Sequence, residues 1–288
     1  YAHPHTIAVL EKRWEAPFAS TSFDYHHGPK LGEAQISFHS AGHILGSAQV
    51  KITIGGQTTV VAGDYKRCLD PTCPPFEVVP CDTFVTEATF GLPVYHWPEP
   101  SQVAATIVDW WQLNRAAGKP SLLFGYSLGK AQRLLLHLGE HELPGPLFLH
   151  PATARICGVY TAHAGIAFPE YQILDPDDSS QKQSYSGALL LAPPHLSTNP
   201  WMKRFRGAVT GMASGWMTLR GQKRRRGYDK GFVMSDHADW PSLIQTVQQT
   251  GAEKVFVTHG YNATLARYLE EQGITALELN TLFDGEGD

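Results

Sequence analysis

The sequence predicts an α/β fold with two parts, a strand-rich N-terminal region and a mainly parallel sheet that follows it. Between residues 34 and 61, apolar and polar residues alternate with a period of two, which is typical of strands with one buried face. From Trp97 onward, short apolar runs alternate with helical stretches, which indicates successive βαβ units. With 288 residues, 42% of them hydrophobic, the chain can form one large domain or two ordinary ones.

The N-terminal region is predicted to contain one helix, Thr6–Arg13, followed by strands. Gly55 and Gly56 form a hairpin turn between two of these strands. A loop rich in proline and cysteine, Leu69–Pro80, then leads to an apolar strand that ends near Glu87. The predicted strands are Gln35–Phe38, Gln49–Ile54, Thr58–Val61 and Thr83–Thr86.

In the alternating region, helices and strands are separated by short turns and by one polar loop, Asp175–Ser186. The predicted helices are Ser101–Ala117, Lys130–Leu138, Pro151–Ala164, Trp240–Thr250 and Asn262–Gln272. The predicted strands are Ser121–Phe124, Leu147–Leu149, Ala188–Leu191, Phe232–Met234, Lys254–Thr258 and Thr275–Leu279.

Composition narrows the class of protein. The net charge of -4 gives no global basic signature, so any nucleic-acid contact must come from a local patch. The four cysteines match no CxxC zinc pattern and are expected to be reduced thiols of a cytoplasmic protein. No apolar run has the length of a membrane span and no signal-peptide layout is present, so we expect no membrane partner.

Five polar residues stand at turns or strand ends, where α/β sheets carry their functional groups. Any one of them could be an ordinary turn residue, but the coincidence of five favours a site. Imidazole and carboxylate groups form a mixed N/O set that suits Zn, Mn or Fe. The five residues are His43, Asp64, Glu87, His237 and His259.

Three further features are candidate substrate contacts. Ser127 and Lys130 flank a glycine turn that opens a helix after a strand, a position suited to a phosphate. His150 follows another strand and is a weaker candidate, with a structural role as the alternative. The densest basic cluster is suited to phosphate neutralisation, although a solvated charge run is the alternative. It consists of Lys223, Arg224, Arg225 and Arg226.

Several long strings resemble the metallo-β-lactamase superfamily, and more narrowly its β-CASP nucleases. The resemblance extends over nearly the whole chain and is strongest to the bacterial ligase-associated DNA exonuclease family. The strings are AGHILGSAQV, VVAGDYK, VTEATFG, MSDHADW and VTHG, together with GDYKxxxDPTCxPFE, TFGLPVYxWP, GKAQR, LAPP and ASGWMxxRGxxRRR.

The resemblance implies a dinuclear metal site with two divalent ions, Zn or Mn. In such a site His43 would bind the first metal, Asp64 would bridge both, and His259 would bind the second. Two metals about 3.5–4 Å apart activate a hydroxide and clamp the scissile phosphate. Glu87 would hold His237 in its cationic form, so that the imidazole can protonate the leaving oxygen.

One element of the family pattern, the HxHxDH motif that supplies most metal ligands, is not present in these 288 residues. The three remaining ligands are too few for a stable dinuclear site. We therefore expect the chain as given to be metal-poor and inactive, and the intact protein, with the segment before Tyr1, to be active.

The resemblance also implies an architecture: an αββα metallo-β-lactamase sandwich with an inserted β-CASP α/β domain of mainly parallel sheet. The predicted boundaries are residues 1–96 and 203–288 for the first domain and residues 97–202 for the second. The implied function is a DNA exonuclease in ligase-associated repair, with DNA, an ATP-dependent ligase and a helicase as partners. An RNA-processing β-CASP enzyme, an inactive scaffold for a ligase or helicase, and a β-lactam or thioester hydrolase remain alternatives.

Overall fold

The structure is a computed structural model that describes residues 1–14, 17–175, 185–219 and 227–279. Two compact units are present. Unit 1 consists of Tyr1–Ile7, Ala16–His96 and His237–Asp288, and unit 2 consists of Ala8–Glu15 and Trp97–Asp236. The predicted basic cluster at residues 223–226 lies outside the described residues.

The described residues form six α-helices, thirteen strands and three short 3-10 helices. The α-helices are α1 Pro4–Arg13, α2 Pro100–Ala116, α3 Lys130–Gly139, α4 Pro151–Ala164, α5 Trp240–Thr250 and α6 Asn262–Glu271. The strands are β1 Lys30–Leu31, β2 Ala34–Ser40, β3 Ala48–Ile54, β4 Gln57–Val61, β5 Thr83–Ala88, β6 Ser121–Phe124, β7 Leu147–Leu149, β8 Gln172–Ile173, β9 Leu189–Ala192, β10 Val209–Ala213, β11 Lys230–Phe232, β12 Lys254–Gly260 and β13 Thr275–Glu278. The 3-10 helices are Pro194–Thr198, Pro200–Arg204 and Gly215–Thr218.

Unit 1 is built on one seven-stranded mixed sheet with the order β1-β2-β3-β4-β5-β12-β13. The first four strands pair antiparallel, and the β4–β5, β5–β12 and β12–β13 pairs are parallel. Apolar residues of these strands and of α5 and α6 form its core, including Phe84, Leu243, Val255 and Leu265. Because β4, β5 and β12 run in the same direction, the segments that follow them emerge at one edge of the sheet.

Unit 2 is built on a six-stranded parallel sheet with the order β11-β10-β6-β9-β7-β8. All residues of β6 and β9 are buried, which explains why residues 122–124 of β6 and the whole of β9 are continuous apolar runs. One core cluster joins α2 and α3 to this sheet through Trp111, Leu134, Leu135 and Leu191. The predicted α/β class and the mainly parallel sheet of the second part are confirmed.

Compact unit 2 extends beyond the residues that we predicted for the second domain. We expected the first domain to resume at residue 203, but residues 203–236 belong to unit 2. The reason is β10, which was not predicted and which lies inside the sheet between β6 and β11. Gly211 interrupts the apolar pattern of β10, so the pattern does not indicate a strand. A Cβ at this position would lie 2.9 Å from the Phe232 ring, so close packing excludes any larger residue.

Two further expectations concern the cysteines and membrane-spanning segments. Cys68, Cys73, Cys81 and Cys157 are all free thiols. Among the described helices, none has the length and hydropathy that a bilayer crossing requires.

Candidate functional site

His43 lies on the turn that follows β2. The Ser47 hydroxyl oxygen accepts hydrogen bonds from the backbone N–H groups of His43, at 3.1 Å, and Ile44, at 3.2 Å. Gly42 has a positive φ of 66°, and a Cβ at this position would lie 2.5 Å from the Lys66 carbonyl oxygen. Only glycine therefore allows the turn to approach the neighbouring segment so closely.

Asp64 lies on the turn that follows β4, and the two turns are fastened together. The Lys66 N–H donates a hydrogen bond of 3.0 Å to the Ala41 carbonyl oxygen. The His43 Nε2 atom is 3.9 Å from an Asp64 carboxylate oxygen. The His43 side chain is 18% exposed and that of Asp64 is 41% exposed, so both remain accessible to a ligand.

Glu87, in β5, connects the Asp64 turn to His237. One carboxylate oxygen accepts the Tyr65 N–H at 2.7 Å. The other accepts the Thr89 hydroxyl at 2.5 Å and lies 2.8 Å from His237 Nδ1. Burial alone would raise the pKa of Glu87, but the charge of His237 and these hydrogen bonds outweigh burial and lower it. Glu87 is therefore a carboxylate at neutral pH although its side chain is only 2% exposed.

His237 joins His43 and Asp64 in one cluster. Each of the three residues offers a ligand atom, and these atoms all lie within 4.8 Å of one another. The His237 ring also contacts the rings of His43 and Phe90, at centroid distances of 4.8 and 5.8 Å. Two imidazole nitrogens and one carboxylate oxygen fit the donor set of a borderline metal such as zinc.

His259 does not enter this cluster. It is exposed and lies at a bulge of β12, between Thr258 and Gly260, with a positive φ of 56°. Gly260 is packed so tightly that a Cβ would lie 2.2 Å from the Ala88 carbonyl oxygen. The structure thus brings together two of the three predicted metal ligands, His43 and Asp64, and adds His237 to them in place of His259.

Lys130, which we predicted to contact a substrate phosphate, has a buried side chain. Its Nζ lies 2.5 Å from an Asp236 oxygen and 3.2 Å from the Met234 carbonyl oxygen. Arg133, one helical turn further along α3, is fully buried, 2.6 Å from the other Asp236 oxygen and 2.6 Å from the Ser235 carbonyl oxygen. Both cations therefore bind the segment that directly precedes His237.

Two other predicted substrate contacts of unit 2, Ser127 and His150, lie at the starts of two different helices. Ser127 is half-buried on the turn before α3, and its carbonyl oxygen accepts a hydrogen bond of 3.0 Å from Gln132. His150 is the N-cap of α4, where Nδ1 accepts the Ala152 N–H at 3.2 Å. Burial, with the nearby charges of His195 and Arg155, lowers the pKa of His150 and favours the neutral ring that capping requires.

Sequence reasoning missed Thr89, Arg133 and Asp236. Thr89 and Asp236 lie two residues and one residue from predicted site residues, in VTEATFG and MSDHADW, and Arg133 ends the GKAQR string. A signal for Arg133 was available, since an arginine within the otherwise apolar face of a helix rarely remains unpaired. Its partner lies 103 positions away in the chain, so pairing could be seen only in the fold.

The chain is similar to proteins that are named as a DNA ligase or as endoribonucleases. It is 34% identical over 273 residues, 94% of this chain, to a protein of Opitutus terrae named "Probable DNA ligase". It is 32% identical over 123 residues, 42% of this chain, to the Gibberella zeae "Endoribonuclease YSH1". It is also 32% identical over 154 residues, 50% of this chain, to the Aspergillus fumigatus "Endoribonuclease ysh1". The chain spans 26% of the length of the first relative and 14% and 17% of the other two. No protein-family model matches it.

A crystal structure titled as a protein of unknown function from Enterococcus faecalis shares the fold, with a TM-score of 0.60 over 98% of this chain and 73% of that one, at 12% identity. The relatives support a relationship to the β-CASP nucleases of the metallo-β-lactamase superfamily. The mixed α/β fold is consistent with a metallo-β-lactamase-like fold.

Proposed function

We propose that this chain carries part of a metal-dependent site that hydrolyses phosphodiester bonds in DNA, as an exonuclease in ligase-associated repair. The observation that carries the proposal is the cluster of His43, Asp64 and His237, with His237 backed by the buried Glu87 carboxylate. In this proposal unit 1 is the metallo-β-lactamase part and unit 2 is the β-CASP part.

His43 and Asp64 are the residues that would hold metal, and the sequence resemblance adds His259. The bound divalent ions, Zn or Mn, would supply an activated hydroxide and neutralise charge on the phosphate. The turns that carry His43 and Asp64 are fastened by the hydrogen bond between Lys66 and Ala41, so the two side chains are held together before any ligand arrives.

His237 has the geometry of a proton donor to the leaving oxygen. His237 Nδ1 lies 2.8 Å from the Glu87 carboxylate, so Nε2 is the nitrogen that would transfer the proton. Thr89 and the Tyr65 N–H bind the same carboxylate and fix its orientation. The pair resembles the acid–base arrangement in which a carboxylate orients an imidazole and stabilises its charged form.

DNA is favoured as the substrate because the ligase-named relative matches across 94% of the chain. An RNA-processing enzyme of the same mechanism is the second candidate, since the endoribonuclease relatives match up to half of the chain. End-labelled DNA and RNA of the same sequence, incubated with Mn²⁺ and the protein expressed from its complete reading frame, separate the two. We expect stepwise shortening of DNA. Cleavage of RNA alone would favour the second candidate, and cleavage of neither would favour a scaffold for a ligase or helicase.

Replacing His237 with alanine is expected to lower the turnover of that protein by about 10²- to 10⁴-fold, because a general acid contributes that much. Bound metal, measured by inductively coupled plasma mass spectrometry, should stay unchanged if His237 only transfers a proton. Asp64→Asn should lose metal as well as activity. His96→Ala is the control, because His96 is an exposed histidine of unit 1. Loss of metal in His237→Ala would instead make His237 a ligand.

A further inference from the structure

A second group of potential ligands lies in unit 1 and has no part in the proposed hydrolytic reaction. His26, His39 and Glu77 each offer a ligand atom, and these atoms all lie within 4.8 Å of one another. We propose that this group, the 26/39/77 cluster, binds one transition-metal ion of the zinc class. The proposal goes beyond the nuclease function and concerns different residues.

The backbone holds all three residues in place before a metal binds. The His26 N–H donates to the Phe38 carbonyl oxygen at 2.7 Å, which ties the segment before β1 to β2. His39 lies in β2, paired with Gln49 of β3. The Glu77 N–H donates to the Ser40 carbonyl oxygen, and its own carbonyl accepts the buried Gln49 side chain at 2.6 Å.

The distances suit a tetrahedral ion. Metal–ligand bonds of about 2.0–2.1 Å place neighbouring ligand atoms about 3.3 Å apart. His39 Nδ1 lies 2.9 Å and His26 Nδ1 3.7 Å from the same Glu77 oxygen, so the two observed edges lie on either side of this value. Shifts of a few tenths of an ångström would be enough to accommodate the ion.

Ser37 supplies the outer contact that metal-binding histidines usually have. Its hydroxyl lies 3.0 Å from His39 Nε2. The same geometry lets the hydroxyl accept a hydrogen bond from Nε2–H once Nδ1 has exchanged its contact with Glu77 for a metal, and this is the tautomer that binds a metal. His26 is 64% exposed, so water can complete the coordination at that side.

An ordinary hydrogen bond between His39 and Glu77 would explain part of this geometry, and the test must separate the two. The probe is Zn²⁺ in calorimetric titration, together with the visible absorption of bound Co²⁺. Chain 1–288 with His43→Ala and Asp64→Asn is the background, so that the candidate hydrolytic cluster contributes no binding. We expect one equivalent of metal, a tetrahedral Co²⁺ spectrum and a higher Tm with Zn²⁺.

Variants then assign the binding. His26→Asn removes the imidazole, and asparagine tolerates the positive φ of 68° at this position. His26→Asn and Glu77→Gln are expected to weaken Zn²⁺ binding by about 100-fold or more, and Ser37→Ala by about tenfold. His27→Asn, at the neighbouring exposed histidine, should leave it unchanged. The proposal would be overturned if the background protein bound no Zn²⁺, or if His26→Asn bound Zn²⁺ as tightly as the background protein does. Either result would count whatever the outcome of the nuclease assay.

Discussion

Replacing Asp236 with asparagine is expected to destabilise unit 2 by about 3–5 kcal/mol, because removing one member of a buried ion pair leaves its partners uncompensated. Lys130 and Arg133 both pair with this carboxylate, at 2.5 and 2.6 Å, and both are buried. Without it, two buried cations would lose their carboxylate, and the carbonyl oxygens of Met234 and Ser235 that they also contact carry no charge to replace it. Urea unfolding followed by circular dichroism measures the loss.

A double-mutant cycle shows whether the effect comes from charge. Lys130→Met should cost much less free energy of unfolding in the Asp236→Asn protein than in the unmodified protein, because it then removes a repulsive cation instead of an ion-pair partner. Asp229→Asn is the control, since Asp229 is an exposed carboxylate of unit 2 that binds Thr210. Additive costs for Lys130→Met and Asp236→Asn would contradict the proposed coupling.

Replacing Glu87 with alanine is the second large change, and it should affect both stability and activity. Three hydrogen-bond donors would lose their acceptor: the Tyr65 N–H, the Thr89 hydroxyl and His237 Nδ1. Each unsatisfied buried group costs about 1–3 kcal/mol, so we expect a loss of about 3 kcal/mol or more in the free energy of unfolding. Turnover by the protein from the complete reading frame should fall by about 10²- to 10⁴-fold, as expected for His237→Ala.

Three further proteins distinguish orientation from folding. Glu87→Gln keeps an acceptor for Tyr65 but not the negative charge, so it should retain more stability than Glu87→Ala while remaining poorly active. The Glu87→Ala/His237→Ala protein should be hardly slower than His237→Ala alone, because residues that act as a unit are not additive. Glu253→Ala, at an exposed residue of unit 1, serves as the control. A fully active Glu87→Ala protein would exclude the proposed role.

Local patterns predicted much of the fold, because they record burial directly. Alternation between residues 34 and 61 predicted β2, β3 and β4, and continuous apolar runs predicted β6 and β9. The pattern failed at β10, where Gly211 makes room for the packed rings of Phe232 and Trp110. A strand whose faces are shaped by distant neighbours carries a weak signal of its own, so β10 was not predicted.

The candidate site divides in the same way. The sequence by itself determined which residues stand at turns and strand ends: His43, Asp64, Glu87 and His237. It also determined the resemblance to the β-CASP nucleases, because the strings around these residues are long and specific. Only the tertiary structure decided which side chains meet. It brought His237 into contact with Glu87, 150 positions away, and it buried Lys130 against Asp236. The physical reason is that burial and pairing of charges depend on atoms brought together by strand order, which spacing along the chain does not record.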